Sequence, residues 1–199
     1  RLATYNIQYP VGGWPEKRLE PLLALLNEYD FDIFGVQEPY MPQIELMMQH
    51  IGDEYAWVGR NVTGDDNDRK HHFNPIFYRK SRFELLDYDT VWLSDKAGTP
   101  GYGARSCRLF IWAKFRDKMT DKVFYHFNGH YDHRGVEARI VSSYILLDMV
   151  RKVAKGMPAS SKALLTRREI KSTNFSMKNI LCIIFRTQYY NKRNEKSIV

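Results

Sequence analysis

The chain carries the sequence FYHFNGHYDHRGVEAR at residues 124–139, and its fold can be worked out from this stretch. Aromatic residues dominate the first part, which predicts a β-strand. Alternation with a period of two places Asn128, His130 and Asp132 on one face near the end of that strand. From Val136 onwards, apolar residues recur at helical spacing. The stretch therefore predicts a strand that leads into a helix, with polar side chains at the strand end, where α/β sheets tend to bind ligands.

Strand and helix patterns also alternate through the preceding part of the chain. Apolar runs at residues 2–7 and 31–37 predict two buried strands, and leucines at helical spacing predict an amphipathic helix over residues 15–29 between them. This order requires a crossover, so we expect part of the sheet to be parallel. The same criteria predict helices over residues 41–51 and 136–155, and strands over residues 55–58, 74–78, 83–93, 108–115 and 123–131.

Length and composition fit one globular domain. The 199 residues are 44% hydrophobic, which is enough for one sizeable core. No run of 18 apolar residues occurs, so insertion into a membrane is not expected. The two cysteines, Cys107 and Cys182, match no metal-ligand spacing and predict neither a zinc site nor a disulfide framework.

The sequence leaves the localisation and the oligomeric state open. The chain begins at Arg1 rather than at a methionine. It therefore fits a secreted or periplasmic protein if a signal peptide precedes this residue, and a cytoplasmic protein otherwise. No feature of the sequence indicates how many copies associate.

The excess of positive over negative charge lies in the last quarter of the chain. The net formal charge is +7, but residues 1–150 carry 18 Lys and Arg against 21 Asp and Glu, whereas residues 151–199 carry 12 against 2. Basicity of this kind favours contact with nucleic acid or other anions. Because it lies in the last part of the chain, it says little about what the folded body binds.

Two polar residues stand at the ends of the first two predicted strands. Glu38 follows an apolar strand, where an ionised group needs a cation or a donor nearby. Mg²⁺ commonly takes one or two protein carboxylates and keeps waters that a phosphate can displace, so Glu38 is a candidate metal ligand. Asn6 is a candidate to orient Glu38 or a phosphate oxygen. The alternatives are a surface glutamate at a strand end and a turn-forming asparagine.

Basic side chains near the later strands are candidates for binding an anion. His130 can hold a phosphoryl oxygen or give it a proton, and a hydrogen-bonded structural histidine is an equally good interpretation. Arg108 begins a strand and offers a planar fork that fits a phosphate, although surface arginines are commoner. His71 and His72 lie in a polar loop over residues 59–73 without a third metal ligand, which favours a solvated pair.

Five motifs resemble those of the endonuclease/exonuclease/phosphatase family. They are TYNI at residues 4–7, VQEP at residues 36–39, NPIFYRKSRFELLD at residues 74–87, RLFIWAKF at residues 108–115 and FNGHYDHRGVEAR at residues 127–139. They occur in the family's order between residues 2 and 159. The chain looks closest to bacterial members of unassigned substrate, and its asparagine-any-histidine motif is similar to that of the deadenylase branch.

The resemblance implies both a fold and a chemistry. The implied fold is a four-layer α-β-β-α sandwich with two mixed sheets, which is C-terminally incomplete in this chain. The implied chemistry is hydrolysis of a phosphoester bond, as in a phosphodiesterase or a nuclease. Mg²⁺ is the implied cofactor, with Mn²⁺ as the alternative.

The resemblance also implies roles for individual residues. Glu38 would be the metal ligand, and Asn6 would support both the metal and the phosphate. His130 would contact the scissile phosphate, so all three are expected to be catalytic. The resemblance also places Arg108 where family members have a phosphate-binding arginine. Asn128 and Asp132 share the strand face of His130, and they are assigned to substrate binding together with Arg108.

The chain departs from the family after the last predicted helix. Family members continue into a strand ending in Gly-Asp-any-Asn and close with an Asp-His pair, but residues 160–175 read SSKALLTRREIKSTNF and no Asp follows residue 159. We expect a partial domain over residues 1–159, no recognisable strand directly after it, and a basic tail over residues 160–199. Two functions stay open: a Mg²⁺-dependent phosphoester hydrolase, and an inactive fragment whose basic tail binds nucleic acid or other anions without specificity.

Overall fold

The computed structural model describes residues 1–8, 18–65, 67–164 and 180–185 of the chain. No helix in this part of the chain is both long and apolar enough to cross a membrane. The helices of this part are α1 (Leu19–Tyr29), α2 (Met41–Ile51) and α3 (Val136–Ala154). Its strands are β1 (Leu2–Asn6), β2 (Ile33–Gln37), β3 (Tyr55–Val58), β4 (Ile76–Arg79), β5 (Phe83–Trp92), β6 (Leu109–Asp117), β7 (Val123–His130), β8 (Ala159–Leu164) and β9 (Ile180–Phe185).

The strands form two sheets, and each sheet mixes parallel and antiparallel neighbours. The first sheet has the order β1-β2-β4-β3; β1 and β2 are parallel because α1 crosses between them, and the other neighbours are antiparallel. The second sheet has the order β5-β6-β7-β8-β9, with β7 and β8 parallel across α3 and the rest antiparallel. Each crossover brings the carboxyl ends of two neighbouring strands to one edge of its sheet.

Three apolar clusters separate four layers. The cluster between the first sheet and its outer helices, α1 and α2, includes Leu26 and Phe34. The cluster between the second sheet and α3 includes Leu146 and Phe127. The inner faces of the two sheets meet in a third cluster, which includes Ile111. The architecture is therefore the predicted four-layer α-β-β-α sandwich with two mixed sheets.

The predicted helices and strands agree with the structure, except directly after α3. The sequence predicts no recognisable strand there, and this is wrong, because β8 begins at Ala159 and pairs in parallel with β7 up to the pair His130↔Leu164. Residues 159–164 lack a strand pattern, and the exposed edge of β7 supplies the pairing partner that overrides weak local propensity. The predicted start of α1 at residues 15–17 and most of the predicted tail lie outside the described residues. The domain boundary at residue 159 stays a prediction.

A buried polar network joins the two sheets behind their shared edge. Asn128 on β7 is fully buried, and its amide nitrogen donates to three main-chain carbonyl oxygens of the first sheet and its loops at 2.9–3.2 Å. Its Oδ1 accepts a hydrogen bond from Nε2 of Gln37 on β2 at 2.7 Å. A Cβ at Gly35 would lie 2.1 Å from this same oxygen. The sheets can approach this closely only because residue 35 has no side chain.

We predict that Asn128→Ala lowers the free energy of unfolding by about 3 kcal/mol, because Gln37 loses one of its two acceptors and three buried carbonyl oxygens lose a donor. Urea denaturation followed by circular dichroism measures the change. Asn27, on the exposed face of α1, offers the matched control, and Asn27→Ala should change the free energy by less than about 0.5 kcal/mol. A loss below about 1 kcal/mol for Asn128→Ala would show that the network does not hold the sheets together.

Candidate active site

Glu38 follows β2 and is oriented by Asn6 at the end of β1. Because the two strands are parallel neighbours, with Asn6 paired to Gln37, the two side chains lie side by side. Nδ2 of Asn6 donates to Oε1 of Glu38 at 2.8 Å, while Oδ1 of Asn6 accepts from the main-chain N–H of Gln8 at 2.7 Å. Glu38 has a φ of 70°, in the left-handed region that favours glycine. Strain of this kind, on the order of 1–3 kcal/mol, is typical of functional sites.

Arg108, directly before β6, is a buried cation that organises the opposite side of the site. Its side chain is 6% exposed. Nη1 donates to Nδ1 of His130 at 2.9 Å, and Nη2 donates to Nδ1 of His133 at 3.3 Å. Nε lies 3.5 Å from Oδ2 of Asp132. A buried guanidinium needs a compensating carboxylate, so Asp132 is the group that allows Arg108 to lie here.

The contact with Arg108 determines which nitrogen of His130 carries the proton. A guanidinium has only donors, so Nδ1 of His130 accepts this hydrogen bond and the proton is assigned to Nε2. Burial, Arg108 and the neighbouring histidines lower the pKa of His130 well below its ordinary value, which keeps the ring neutral. Nε2 lies 3.7 Å from Oε1 of Glu38. The ring therefore presents an N–H donor to the space beside the carboxylate.

Asp132 holds the loop that leads from β7 into α3. Its buried carboxylate accepts main-chain hydrogen bonds from Arg105 at 3.1 Å, Arg134 at 2.9 Å and Gly135 at 2.8 Å. Burial raises the pKa of Asp132, but the hydrogen bonds from Gly135 and Arg134 and the charge of Arg108 outweigh burial and lower the pKa below its ordinary value. The carboxylate is therefore ionised, and its contacts fix the loop and the guanidinium.

The structure brings four of the six predicted site residues together at the shared edge of the two sheets. This site cluster consists of Asn6, Glu38, Arg108 and His130. Asp132 lies behind Arg108, and the amide of Asn128 is engaged by the first sheet. These contacts favour positioning roles for Asp132 and Asn128, and the substrate contacts that the sequence assigns to them stay predictions.

His72 lies beside the site cluster, although the sequence did not identify it. The prediction of a solvated pair is right for His71, which is exposed, and wrong for His72. The His72 ring packs edge-on against His130, with the ring centroids 6.5 Å apart. Burial and Arg108 lower the pKa of His72 to about 4, although Glu38 raises it. This second imidazole is therefore neutral at pH 7.

A signal for the position of His72 is present in the sequence. Ile76 belongs to the cluster between the sheets, and Nδ2 of Asn74 donates to the carbonyl oxygen of Leu109 on the second sheet at 3.1 Å. Alternation extended two residues upstream places His72 on the same inner side. Phe73 accordingly belongs to the outer cluster. Continuing the strand pattern into the loop would have identified His72.

The carboxylate oxygens of Glu38 are suitable ligands for Mg²⁺ if the protein supplies only part of the coordination shell. Within the described ranges, no group of three or more His, Cys, Asp or Glu side chains could hold a metal ion. Mg²⁺ prefers oxygen ligands and commonly keeps several waters, so one carboxylate is a sufficient protein anchor. The Glu38 side chain is 18% exposed and oriented by Asn6, and it offers such an oxygen at the mouth of the site cluster.

Several solved structures are similar to this chain. An endonuclease/exonuclease/phosphatase from Bacteroides vulgatus is 31% identical, with a TM-score of 0.76 over 82% of this chain and 64% of that one. The mannosyl-6-phosphatase Bt3783 of Bacteroides thetaiotaomicron is 28% identical, with a TM-score of 0.75 over 81% of this chain and 63% of that one. The human Nocturnin catalytic domain shares the fold at 16% identity, with a TM-score of 0.61 over 79% and 61% of the two chains.

The match to these structures is partial. The chain spans less than two thirds of the length of each of them, at 64%, 63% and 61%. No sequence-family model and no curated protein sequence matches the chain. The relationship therefore rests on the shared fold and on the sequence identity to the two Bacteroides proteins.

We predict that Asp132→Asn lowers the free energy of unfolding by about 3 kcal/mol at pH 7, because Arg108 then stays buried without its counter-charge. The folded pKa of Asp132 is lowered, so its ionised form stabilises the fold above the unfolded pKa of about 3.9. That contribution is lost as the pH falls through the folded pKa. The difference between wild type and variant should therefore shrink below about pH 4.

Urea denaturation at a series of pH values measures this difference. Asp148→Asn is the matched control, because Asp148 lies on the exposed surface of α3 and pairs only with Lys152 among the described residues. It should change the free energy of unfolding by less than about 0.5 kcal/mol. A difference between wild type and Asp132→Asn that stays constant from neutral to acidic pH would contradict the assigned ionisation.

Proposed function

We propose that this chain, which belongs to the endonuclease/exonuclease/phosphatase family of phosphoester hydrolases, binds a phosphoester between Glu38 on the first sheet and Arg108 and His130 on the second. One observation carries the proposal. Nε2 of His130 lies 3.7 Å from Oε1 of Glu38, while its Nδ1 lies 2.9 Å from Nη1 of Arg108. Donors for phosphoryl oxygens thus face a carboxylate that can hold a cation.

Arg108 and His130 act on the phosphoryl group in this proposal. The guanidinium is a fixed positive charge, and its hydrogen bonds to an anion are among the stronger ones in proteins. His130 has its Nδ1 lone pair occupied by Arg108 and its proton on Nε2. It therefore has no free lone pair with which to deprotonate water. Its N–H can instead donate a hydrogen bond that stabilises negative charge on the phosphoryl group.

Glu38 and Asn6 form the metal-binding side of the proposed site. Glu38 holds Mg²⁺, or Mn²⁺ in its place, and the hydrogen bond from Asn6 keeps the carboxylate in one orientation. When bound, the ion supplies charge neutralisation for the phosphoryl oxygens. The left-handed backbone of Glu38 helps to direct the side chain away from β2 and towards His130.

A second candidate function is phosphoester binding without turnover. The sequence holds neither Asp nor His after residue 159, and the family resemblance assigns the activation of water to such groups. The arrangement of Arg108 and His130 binds a phosphate equally well without them. The basic residues after residue 150 then add attraction to anions, with nucleic acid as one candidate.

The substrate class is proposed as phosphoesters in general. The similar structures range from a mannosyl-6-phosphatase to the Nocturnin catalytic domain. The fold alone therefore does not identify the substrate. The loop over residues 59–73 is the best candidate for selecting among phosphoesters, because it carries His72 to the site cluster.

We predict that Glu38→Gln lowers the rate of hydrolysis of bis(4-nitrophenyl) phosphate in Mg²⁺ by at least about 10²-fold, because the amide cannot hold the ion. Release of 4-nitrophenolate measures the rate. The glutamine oxygen can still accept the hydrogen bond from Asn6, so the fold is expected to be kept. Glu45→Gln is the matched control and should keep the wild-type rate, because Glu45 lies on the exposed surface and pairs with Arg69.

Calorimetric titration of the wild type with inorganic phosphate separates the two candidate functions. Phosphate binding together with hydrolysis supports the first candidate. Binding without release of 4-nitrophenolate at any Mg²⁺ concentration supports the second. If the wild type hydrolyses the substrate, an equal rate for Glu38→Gln would show that the assigned site is wrong. Absence of phosphate binding would contradict both candidates.

A further inference from the structure

The main chain of His72 is tied to the sheet edge where Glu38 lies. The N–H of Phe73 donates to the carbonyl oxygen of Pro39 at 2.8 Å, and Pro39 directly follows Glu38. The carbonyl oxygen of His72 accepts from the N–H of Val62 at 3.0 Å. A framework of main-chain hydrogen bonds, rather than a free loop tip, therefore carries the imidazole.

The His72 imidazole ends in a buried polar atom that the protein does not satisfy. Within the described part of the chain, Nε2 of His72 is inaccessible to solvent and has no hydrogen-bond partner. Leaving such an atom unpaired is unfavourable, so native proteins rarely keep one without a reason. The ring lies against His130, which is itself bonded to Arg108. A ligand held by His130 and Arg108 is within the same small region as this unpaired nitrogen.

We propose that Nε2 of His72 donates a hydrogen bond to a phosphoryl oxygen of the bound substrate, beside the N–H of His130. The inference rests on the proposed function and adds to it a substrate-contacting residue from the loop between β3 and β4. Two neutral imidazoles add donors of fixed direction without adding positive charge. The orientation of the phosphate would then be set by the directions of the two N–H groups and the guanidinium.

The test uses the wild-type chain with ¹⁵N-labelled histidines and follows the ring nitrogens by NMR during titration with dimethyl phosphate in Mg²⁺. We expect the ring signals of His72 and His130 to shift together with one dissociation constant, while those of His71 stay unchanged. A shift of His130 alone would overturn the role of His72 and leave the proposed function intact. A spectrum in which neither residue responds would overturn both.

Variants of His72 give a second measurement with a matched control. His72→Leu removes the donor and should weaken binding of dimethyl phosphate about tenfold, read from the His130 signals. His72→Gln keeps a side-chain N–H and should restore most of the lost affinity. His71→Leu, at the exposed neighbouring position, should bind as tightly as the wild type. Equal affinity of His72→Leu and wild type for dimethyl phosphate would overturn the inference. If His72→Leu does not fold, the wild-type titration alone tests the inference.

Discussion

The buried ion pair between Arg108 and Asp132 is the interaction on which the rest of the site depends. A guanidinium that is 6% exposed is tolerated only beside a compensating charge, and Asp132 lies 3.5 Å away. Main-chain N–H groups of the loop before α3 hold Asp132 in turn. The Arg108 guanidinium is therefore anchored to the loop, and its other N–H groups can point into the site. One of them fixes the orientation and the proton of His130.

The two sides of the site belong to different sheets, so their separation depends on how the sheets pack. Glu38 follows a strand of the first sheet, whereas His130 ends a strand of the second. Asn128 bridges the sheets behind these residues, and Gly35 allows the close approach. The packing between the sheets therefore determines the geometry of the site. A shift between the sheets would change the distance from Glu38 to His130 directly.

Local sequence pattern was sufficient for the framework and for the strand-end residues. Alternation along β7 correctly placed Asn128 and His130 on the inner face, and the strand ends located Asn6 and Glu38. Alternation cannot tell a side chain that meets a ligand from one that meets the opposite sheet, so it did not reveal that Asn128 bridges the two sheets. The proton position on His130 depends on Arg108, 22 residues away, and no local pattern contains it.

The strand β8 and the position of His72 were missed for related reasons. β8 forms because β7 offers a parallel partner, which the polar sequence after Ala159 does not reveal. His72 reaches the site because main-chain hydrogen bonds from Val62 and to Pro39 shape its loop. Both features depend on contacts between segments distant in sequence. Predicting β8 requires the sheet order, which local propensity does not supply. For His72, alternation indicates the inner side of the sheet, and these contacts bring the ring to His130.

The central claim is that a phosphate binds between the Glu38 carboxylate and the Arg108–His130 pair. A crystal structure of the chain with Mg²⁺ and inorganic phosphate tests it most directly. We expect Mg²⁺ on the Glu38 carboxylate, with phosphate oxygens within hydrogen-bond distance of Arg108 and Nε2 of His130. Phosphate bound elsewhere, with this region containing only water, would contradict the claim.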